Sequence, residues 1–197
     1  MHIPVMVSEV LEYLAIRPDG VYLDCTAGMG GHTREIAQRL TTGIVLMNDR
    51  DAESLQMARQ NTAAWAERVR YHHGNFSTIA ETLAEEGLGK VDGMLADLGA
   101  SLDQLKDIQR GFSFLSDQKL DMRMDRSSQM TAEDLVNHMA EKALADLIYQ
   151  FGEERRARKI ARAIVRARPI RSPLHLAGVV ERAVPRTGRL HPATQTQ

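Results

Sequence analysis

The feature that most constrains this chain is an apolar run that ends in an acid and turns through glycines: Val21-Tyr22-Leu23-Asp24-Cys25-Thr26-Ala27-Gly28-Met29-Gly30-Gly31-His32. Thr33-Arg34-Glu35-Ile36-Ala37-Gln38-Arg39-Leu40 follows, with its apolar residues at helical spacing. A buried strand that turns sharply into a helix in this way is the nucleotide-binding corner of a doubly wound α/β fold. The glycines let backbone approach a ligand, and the first helical turn offers unpaired N–H groups.

A second apolar run, Gly43-Ile44-Val45-Leu46-Met47, ends in Asn48-Asp49. Asp49 follows Gly28 at the spacing, about 20 residues, at which an acid on the second strand's tip meets ribose hydroxyls. The dinucleotide fingerprint G-x-G-x-x-G, however, needs a third glycine where the chain has Thr33. With Asp24 four residues before Gly28, the stretch reads D-x-x-x-G-x-G-G, which resembles class I S-adenosylmethionine enzymes. A methyltransferase is therefore expected here in preference to a nicotinamide-dependent oxidoreductase.

Composition narrows the classes. No run approaches the roughly 18 apolar residues of a membrane span, and Met1-His2-Ile3-Pro4 lacks the pattern of a signal peptide. The one cysteine, Cys25, cannot form an internal disulfide, so a reducing cytoplasm is expected. Beside the glycine turn it reads as a small filler rather than a reactive thiol. The net charge of −1 conceals an asymmetry. Residues 1–150 carry −9 and residues 151–197 carry +8, and a basic block of that kind suggests a polyanionic partner.

Along the chain, residues 8–14 read as a short helix, 52–65 as a helix, and 69–73 as a third strand. The neighbouring His72 and His73 point to opposite faces of that strand and cannot share a metal; nothing in the sequence calls for one. Thr78 and Glu81 have capping-box spacing at the head of a helix, and residues 90–97 read as a fourth strand. Strands alternating with helices predict a mostly parallel sheet with ligands at its carboxyl ends. Asp24, Asp49, Phe76 and Asp97 all fall at such ends.

Beyond Ser101 the rhythm stops. Residues 107–125 read as an ordered loop. Thr131 and Asp134 cap a helical region that runs to Phe151, with Gly152 as its C′ residue. A helix is expected over 153–168, with acids in its first turn. Its buried face would be Ala157, Ile160, Ala161, Ile164 and Val165, and another face would carry Arg155, Arg158, Lys159, Arg162 and Arg166. Pro169 ends it, and Ser172-Pro173 opens one more helix.

These stretches, taken together, resemble the bacterial 16S ribosomal RNA cytosine-N4 methyltransferases. The resemblance rests on His2-Ile3-Pro4-Val5, Asp24-x-Thr26-x-Gly28-x-Gly30-Gly31-His32, Asp49-Arg50-Asp51, Gly74-Asn75-Phe76-Ser77 and Asp97-Leu98-Gly99. It continues through Arg110-Gly111-Phe112-Ser113-Phe114, Leu120-Asp121-Met122-Arg123-Met124-Asp125, Phe151-Gly152-Glu153-Glu154-Arg155 and His191-Pro192-Ala193-Thr194. It implies an incomplete Rossmann-like parallel sheet of four strands over residues 1–107, a helical inserted subdomain over 108–190, and a return to the first domain over 191–197.

The resemblance also implies S-adenosylmethionine contacts at Gly30, Gly31, His32, Asp49, Phe76, Asp97 and Gln104. Asp97 is the expected catalytic residue, facing the exocyclic amine of a flipped-out cytosine in the decoding region. Phe112 and Phe114 are candidates for stacking on that base. Arg155, Arg158, Lys159, Arg162 and Arg166 would meet the phosphates of 16S ribosomal RNA in the small ribosomal subunit.

Departures from the family pattern are local. Where the family has V-S-S-P-Q-L-D, this chain has Ala100-Ser101-Leu102-Asp103-Gln104-Leu105-Lys106, and a Gly-Pro pair is replaced by Gln118-Lys119. The family continues beyond His191-Pro192-Ala193-Thr194, so an N-terminal portion is expected. The alternative reading is a non-catalytic RNA-binding remnant.

Overall fold

The computed structural model describes residues 4–184. The motif residues His2, Ile3 and 191–194 lie outside the described residues, as do the proposed return segment and the end of the expected helical subdomain. The chain divides into two compact units, residues 1–99 and 100–197.

The first unit is built on a four-stranded parallel sheet. Its strands are β1 (Val21–Asp24), β2 (Ile44–Asp49), β3 (Val69–His73) and β4 (Gly93–Leu95), in the order β3-β2-β1-β4. The helices α1 (Val7–Leu14), α2 (Gly31–Ala37), α3 (Ala52–Asn61) and α4 (Ile79–Glu85) flank it. The Rossmann-like sheet expected from sequence is therefore present. β1 and β2 are apolar along nearly their whole length because both faces are covered. On one face Tyr22, Val45, Met47 and Val69 pack with Ile36, Ala37, Leu40, Leu55 and Ala58. On the other, Leu23 and Leu46 pack with Leu83.

Two boundaries and one cap differ from expectation, each because a polar group found another partner. β4 is shorter than 90–97. At its start the Asp92 carboxylate takes hydrogen bonds from Val21 N (2.8 Å) and the Arg17 guanidinium (2.7 Å). At its end the Asp97 N–H leaves the ladder for the Thr26 hydroxyl. α3 stops at Asn61, where the Thr62 hydroxyl donates back to Ala58 O at 2.7 Å; a single 3₁₀ turn continues to Trp65. The expected Thr78–Glu81 capping box does not form. The Thr78 hydroxyl donates to Asn75 O (3.0 Å), and Asn75 caps the intervening 3₁₀ turn by accepting from Ser77 N.

In the second unit the short helix α5 (Leu102–Lys106) is followed by the expected ordered loop. Arg110 ties that loop together by donating to Arg123 O and Met124 O, both at 3.0 Å. Arg123 in turn grips Asp121 at 2.7 and 2.8 Å. Gly111 is required here: it has φ 74°, and a side chain would meet Asp121 N and Lys119 O at 2.7 Å.

Beyond the loop lie α6 (Ala132–His138), α7 (Glu141–Gly152), α8 (Ala157–Ala167) and α9 (Pro173–Ala183). Their core is Leu144, Ile148, Ile160, Ile164, Leu176 and Val180, with Leu120 from the loop. The Thr131–Asp134 capping box is complete, with bonds of 3.1 and 2.9 Å. Thr131→Ala is accordingly expected to cost about 1 kcal/mol of unfolding free energy in urea titrations.

The ends of α7 and α8 depart from the sequence reading. Gly152 stays helical, and Glu153 takes the left-handed conformation, φ 51°, that was expected of the glycine. α8 begins only at Ala157, so the acids do not form its first turn. Glu154 is instead buried, accepting from Arg156 N at 2.7 Å and pairing with that guanidinium at 3.1 Å.

Candidate functional site

The register brings the carboxyl ends of all four strands of the first unit into line. Asp24 pairs with Met47 and Leu95, and Asp49 with His73. The turns leaving these ends therefore carry Gly28–His32, Asp49, Phe76 and Asp97 along one edge of the sheet.

The glycine turn is held by two carboxylates. Gly28 (φ 53°) donates its N–H to Asp49 Oδ2 at 2.7 Å, and Asp49 Oδ1 accepts from Asp51 N at 2.8 Å. A side chain on Gly28 would meet nothing within 4 Å, so this turn borders open space. Gly30 (φ 81°) is small for the opposite reason: a Cβ there would sit 3.1 Å from Ala58.

Asp24 is buried beneath the turn. Its carboxylate accepts from the Thr33 hydroxyl at 2.7 Å and from Thr26 N at 3.2 Å. Thr33, the misfit in the dinucleotide fingerprint, is thus the partner of the acid that sets the alternative pattern. The pairing joins a strand end to a helix across 9 residues and follows from no motif spacing.

The other edge residues are anchored by short-range bonds. Phe76 opens the 3₁₀ turn capped by Asn75 and is 40% exposed. Asp97 is exposed, with its N–H fixed to Thr26 Oγ1 at 2.7 Å. Gly31 and His32 begin α2 ahead of its first backbone bond, Arg34 N–H to Gly30 O.

The His32 imidazole is buried and bonded through Nε2 to Val5 O at 2.8 Å. Its side chain thus anchors the segment that precedes α1, and its backbone is the part left for the turn. Behind the edge runs a polar chain. The Asn48 carboxamide donates to Cys25 O (3.0 Å) and accepts at Oδ1 from His72 Nδ1 (2.8 Å), and His72 Nε2 lies 3.2 Å from the Thr82 hydroxyl.

His73 pairs separately with Arg50 O. Among the described residues no group of three His, Cys, Asp or Glu side chains is placed to hold a metal ion.

Burial pushes the Asp24 carboxyl above its ordinary value, with the Thr33 and Thr26 bonds opposing it. Burial raises Asp49 as well, against the N–H groups of Asp51 and Gly28. It also raises the Cys25 thiol, ahead of the repulsion from Asp24, and so disfavours the thiolate.

The raised carboxyls have a definite effect on stability. A carboxyl with a raised native pKa binds its proton more readily folded than unfolded. The cost of ionising it inside the fold is absent below 3.8 and grows as pH rises through the raised value. Asp24→Asn is therefore expected to flatten this decline relative to the parent, as read from urea unfolding at a series of pH values.

The second unit holds the remaining sequence candidates. Gln104 is buried, and its Oε1 accepts from Ser101 N at 2.9 Å while Ser101 Oγ accepts from Gln104 N at 3.1 Å. Phe112 and Phe114 are half-buried in the ordered loop. Arg155, Arg158, Lys159, Arg162 and Arg166 are all exposed, on α8 or just before it. Arg162 also reaches Glu141 at 3.3 Å. Arg168, by contrast, is turned inward, donating to Val136 O and Met139 O at the end of α6.

Known proteins resemble this chain along its length. The chain is 66% identical to the ribosomal RNA small subunit methyltransferase H of Solibacter usitatus, over all of this chain and 68% of that protein. Proteins of the same name from Koribacter versatilis and Geobacter sulfurreducens are 46% and 48% identical, over 99% of this chain and 65% of each relative. The chain thus spans about two thirds of the length of the curated relatives it matches. The model of the MraW methylase family matches residues 1–197, and the chain belongs to that family.

Proposed function

We propose that this chain binds S-adenosylmethionine at the carboxyl edge of its first unit and serves methyl transfer to small-subunit ribosomal RNA. The acceptor we assign is the exocyclic N4 of a cytosine in the decoding region of 16S RNA. The observation that carries this reading is the convergence of Gly28–His32, Asp49, Phe76 and Asp97 on one edge, beside a turn with open space at Gly28.

The residues fit the cofactor. Asp49 accepts Gly28 N–H at Oδ2 and Asp51 N–H at Oδ1, and a carboxylate's further lone pairs suit a ribose hydroxyl. Phe76 offers a partly exposed ring for adenine, and the backbone of Gly30, Gly31 and His32 would border the methionine portion. Gln104 joins this set by family resemblance. When bound, S-adenosylmethionine supplies an electrophilic methyl group on a sulfonium.

The chain's own residues then act by placement. The amine of cytosine is conjugated with its ring and is a poor nucleophile. The Asp97 carboxylate accepts hydrogen bonds from it, which localises the lone pair, and catalysis becomes positioning plus electrostatics. Phe112 and Phe114 are the candidates to stack on the extruded base. Arg155, Arg158, Lys159, Arg162 and Arg166 would neutralise RNA phosphates in the salt-dependent manner of such contacts.

In this reading the helical part of the chain, expected over residues 108–190, is an insertion for substrate. The protein works in the cytoplasm, where the small ribosomal subunit is. Among the described residues no helix is long and apolar enough to cross a membrane. The alternative of a non-catalytic RNA-binding remnant is less favoured, because all four strand ends of the cofactor edge are built.

Calorimetric titration with S-adenosylmethionine tests the proposal. The parent is expected to bind, and Asp49→Ala to bind about 10- to 100-fold more weakly, the weight of hydrogen bonds to a charged group. A folded parent that gives no heat would overturn the reading. Binding without radiolabel transfer to ribosomal RNA would favour the remnant.

A further inference from the structure

We propose that Thr26 is a positioning residue for methyl transfer: its hydroxyl fixes the backbone of Asp97 at the end of the fourth strand. The inference rests on the role given to Asp97 above, and it starts from where the sheet stops. Leu95 is the last β4 residue in the ladder, its carbonyl accepting from Cys25 N at 2.8 Å. From Ala96 to Gly99 the chain is exposed. In that stretch the Asp97 N–H donates to Thr26 Oγ1 at 2.7 Å.

Thr26 is a stiff support for that bond. The residue before it bonds to β4 through Cys25 N, and the residue after it bonds to β2 through Ala27 N and Asn48 O at 2.9 Å. Its own N–H donates to Asp24 Oδ1, and the other oxygen of that buried carboxylate accepts from the Thr33 hydroxyl of α2. Thr33, Asp24, Thr26 and Asp97 form one chain of bonds from the glycine turn's helix to the backbone amide of the residue that bears the proposed catalytic carboxylate. A branched side chain also restricts χ1, which holds the hydroxyl where the amide can use it.

The consequence is preorganisation. A carboxylate on an exposed turn past the end of a ladder frays with its backbone, and a misplacement of about 1 Å at a reacting group costs on the order of a hundredfold in rate. Thr26 uses its hydroxyl as an acceptor, so valine, nearly the same shape without the oxygen, removes the bond and serine keeps it.

The test has two arms, run on the full chain. In the first, amide hydrogen exchange is measured by NMR at Asp97. Protection is expected in the parent and Thr26→Ser, with exchange faster by about tenfold or more in Thr26→Val, the loss of one hydrogen bond's worth of protection. Unchanged protection in Thr26→Val overturns the proposal. Should that variant not fold, Thr26→Ala serves in its place.

In the second arm, Thr26→Val is expected to lower kcat by about 10- to 100-fold. The effect on the calorimetric affinity for S-adenosylmethionine is expected to be smaller than that on kcat, and Thr26→Ser should restore turnover. In an Asp97→Ala background the valine change is expected to add less than about twofold, since two groups acting as a unit are not additive. A loss of equal size in both backgrounds, or one seen only as weaker cofactor binding, overturns it. A parent that binds cofactor but transfers no methyl group would sink the assigned reaction, and the exchange arm would still decide whether Thr26 holds Asp97.

Discussion

Asp97→Ala is expected to lower methyl transfer to ribosomal RNA by about 10²–10³-fold, the usual weight of one preorganised electrostatic contact to a reacting group. The loss should appear in kcat, because Asp97 lies past the end of β4 whereas Asp49 grips the glycine turn. Asp97→Asn separates charge from shape. Its carboxamide can accept through one oxygen only and presents N–H groups to an amine that is itself a donor. Asparagine should therefore recover little of the lost rate. Single-turnover kinetics with saturating S-adenosylmethionine would check both variants. An alanine variant that kept more than about a tenth of the parent rate would remove Asp97 from the mechanism.

The second large effect concerns the helical unit. Ile160→Ala is expected to cost about 2–5 kcal/mol of unfolding free energy, the range for emptying a close-packed site. Ile160 is fully buried on α8, between Ala157, Ala161 and Ile164 on its own helix and a core that includes Ala145 and Val180. Urea unfolding followed by circular dichroism would measure the loss. Leu174→Ala, at an exposed position on α9, should stay within about 0.5 kcal/mol of the parent.

The sequence was most legible where burial is two-sided. β1 and β2 read directly from apolar runs ending in acids, because both their faces are covered. The Thr131–Asp134 box and the Ser172-Pro173 start of α9 were legible because their hydrogen bonds lie within three residues of each other. What could not be read was competition from distant partners. Asp92 pairs with Arg17 and Val21 across the fold, and this sets where β4 begins.

Other misses have the same character. Thr78 found Asn75 before it could cap α4. Glu153 took the left-handed position expected of Gly152, because periodicity does not say which residue ends a helix. At the candidate site, the carboxyl-edge acids were visible from their places at strand ends. The Thr33–Asp24 and Thr26–Asp97 bonds were not, since each is decided by how two turns meet.

The strand order has a consequence for how the edge is assembled during folding. β1 meets β2, and β2 meets β3, across loops of roughly 23 residues, whereas β1 meets β4 only across about 71. Closing the longer loop costs on the order of 1 kcal/mol more in chain entropy, and contacts between distant residues are slow to form. The three strands that carry the glycine turn, Asp49 and the approach to Phe76 can therefore come together first. Asp97 arrives with β4, so the end proposed to hold the ribose should mature before the end assigned to chemistry.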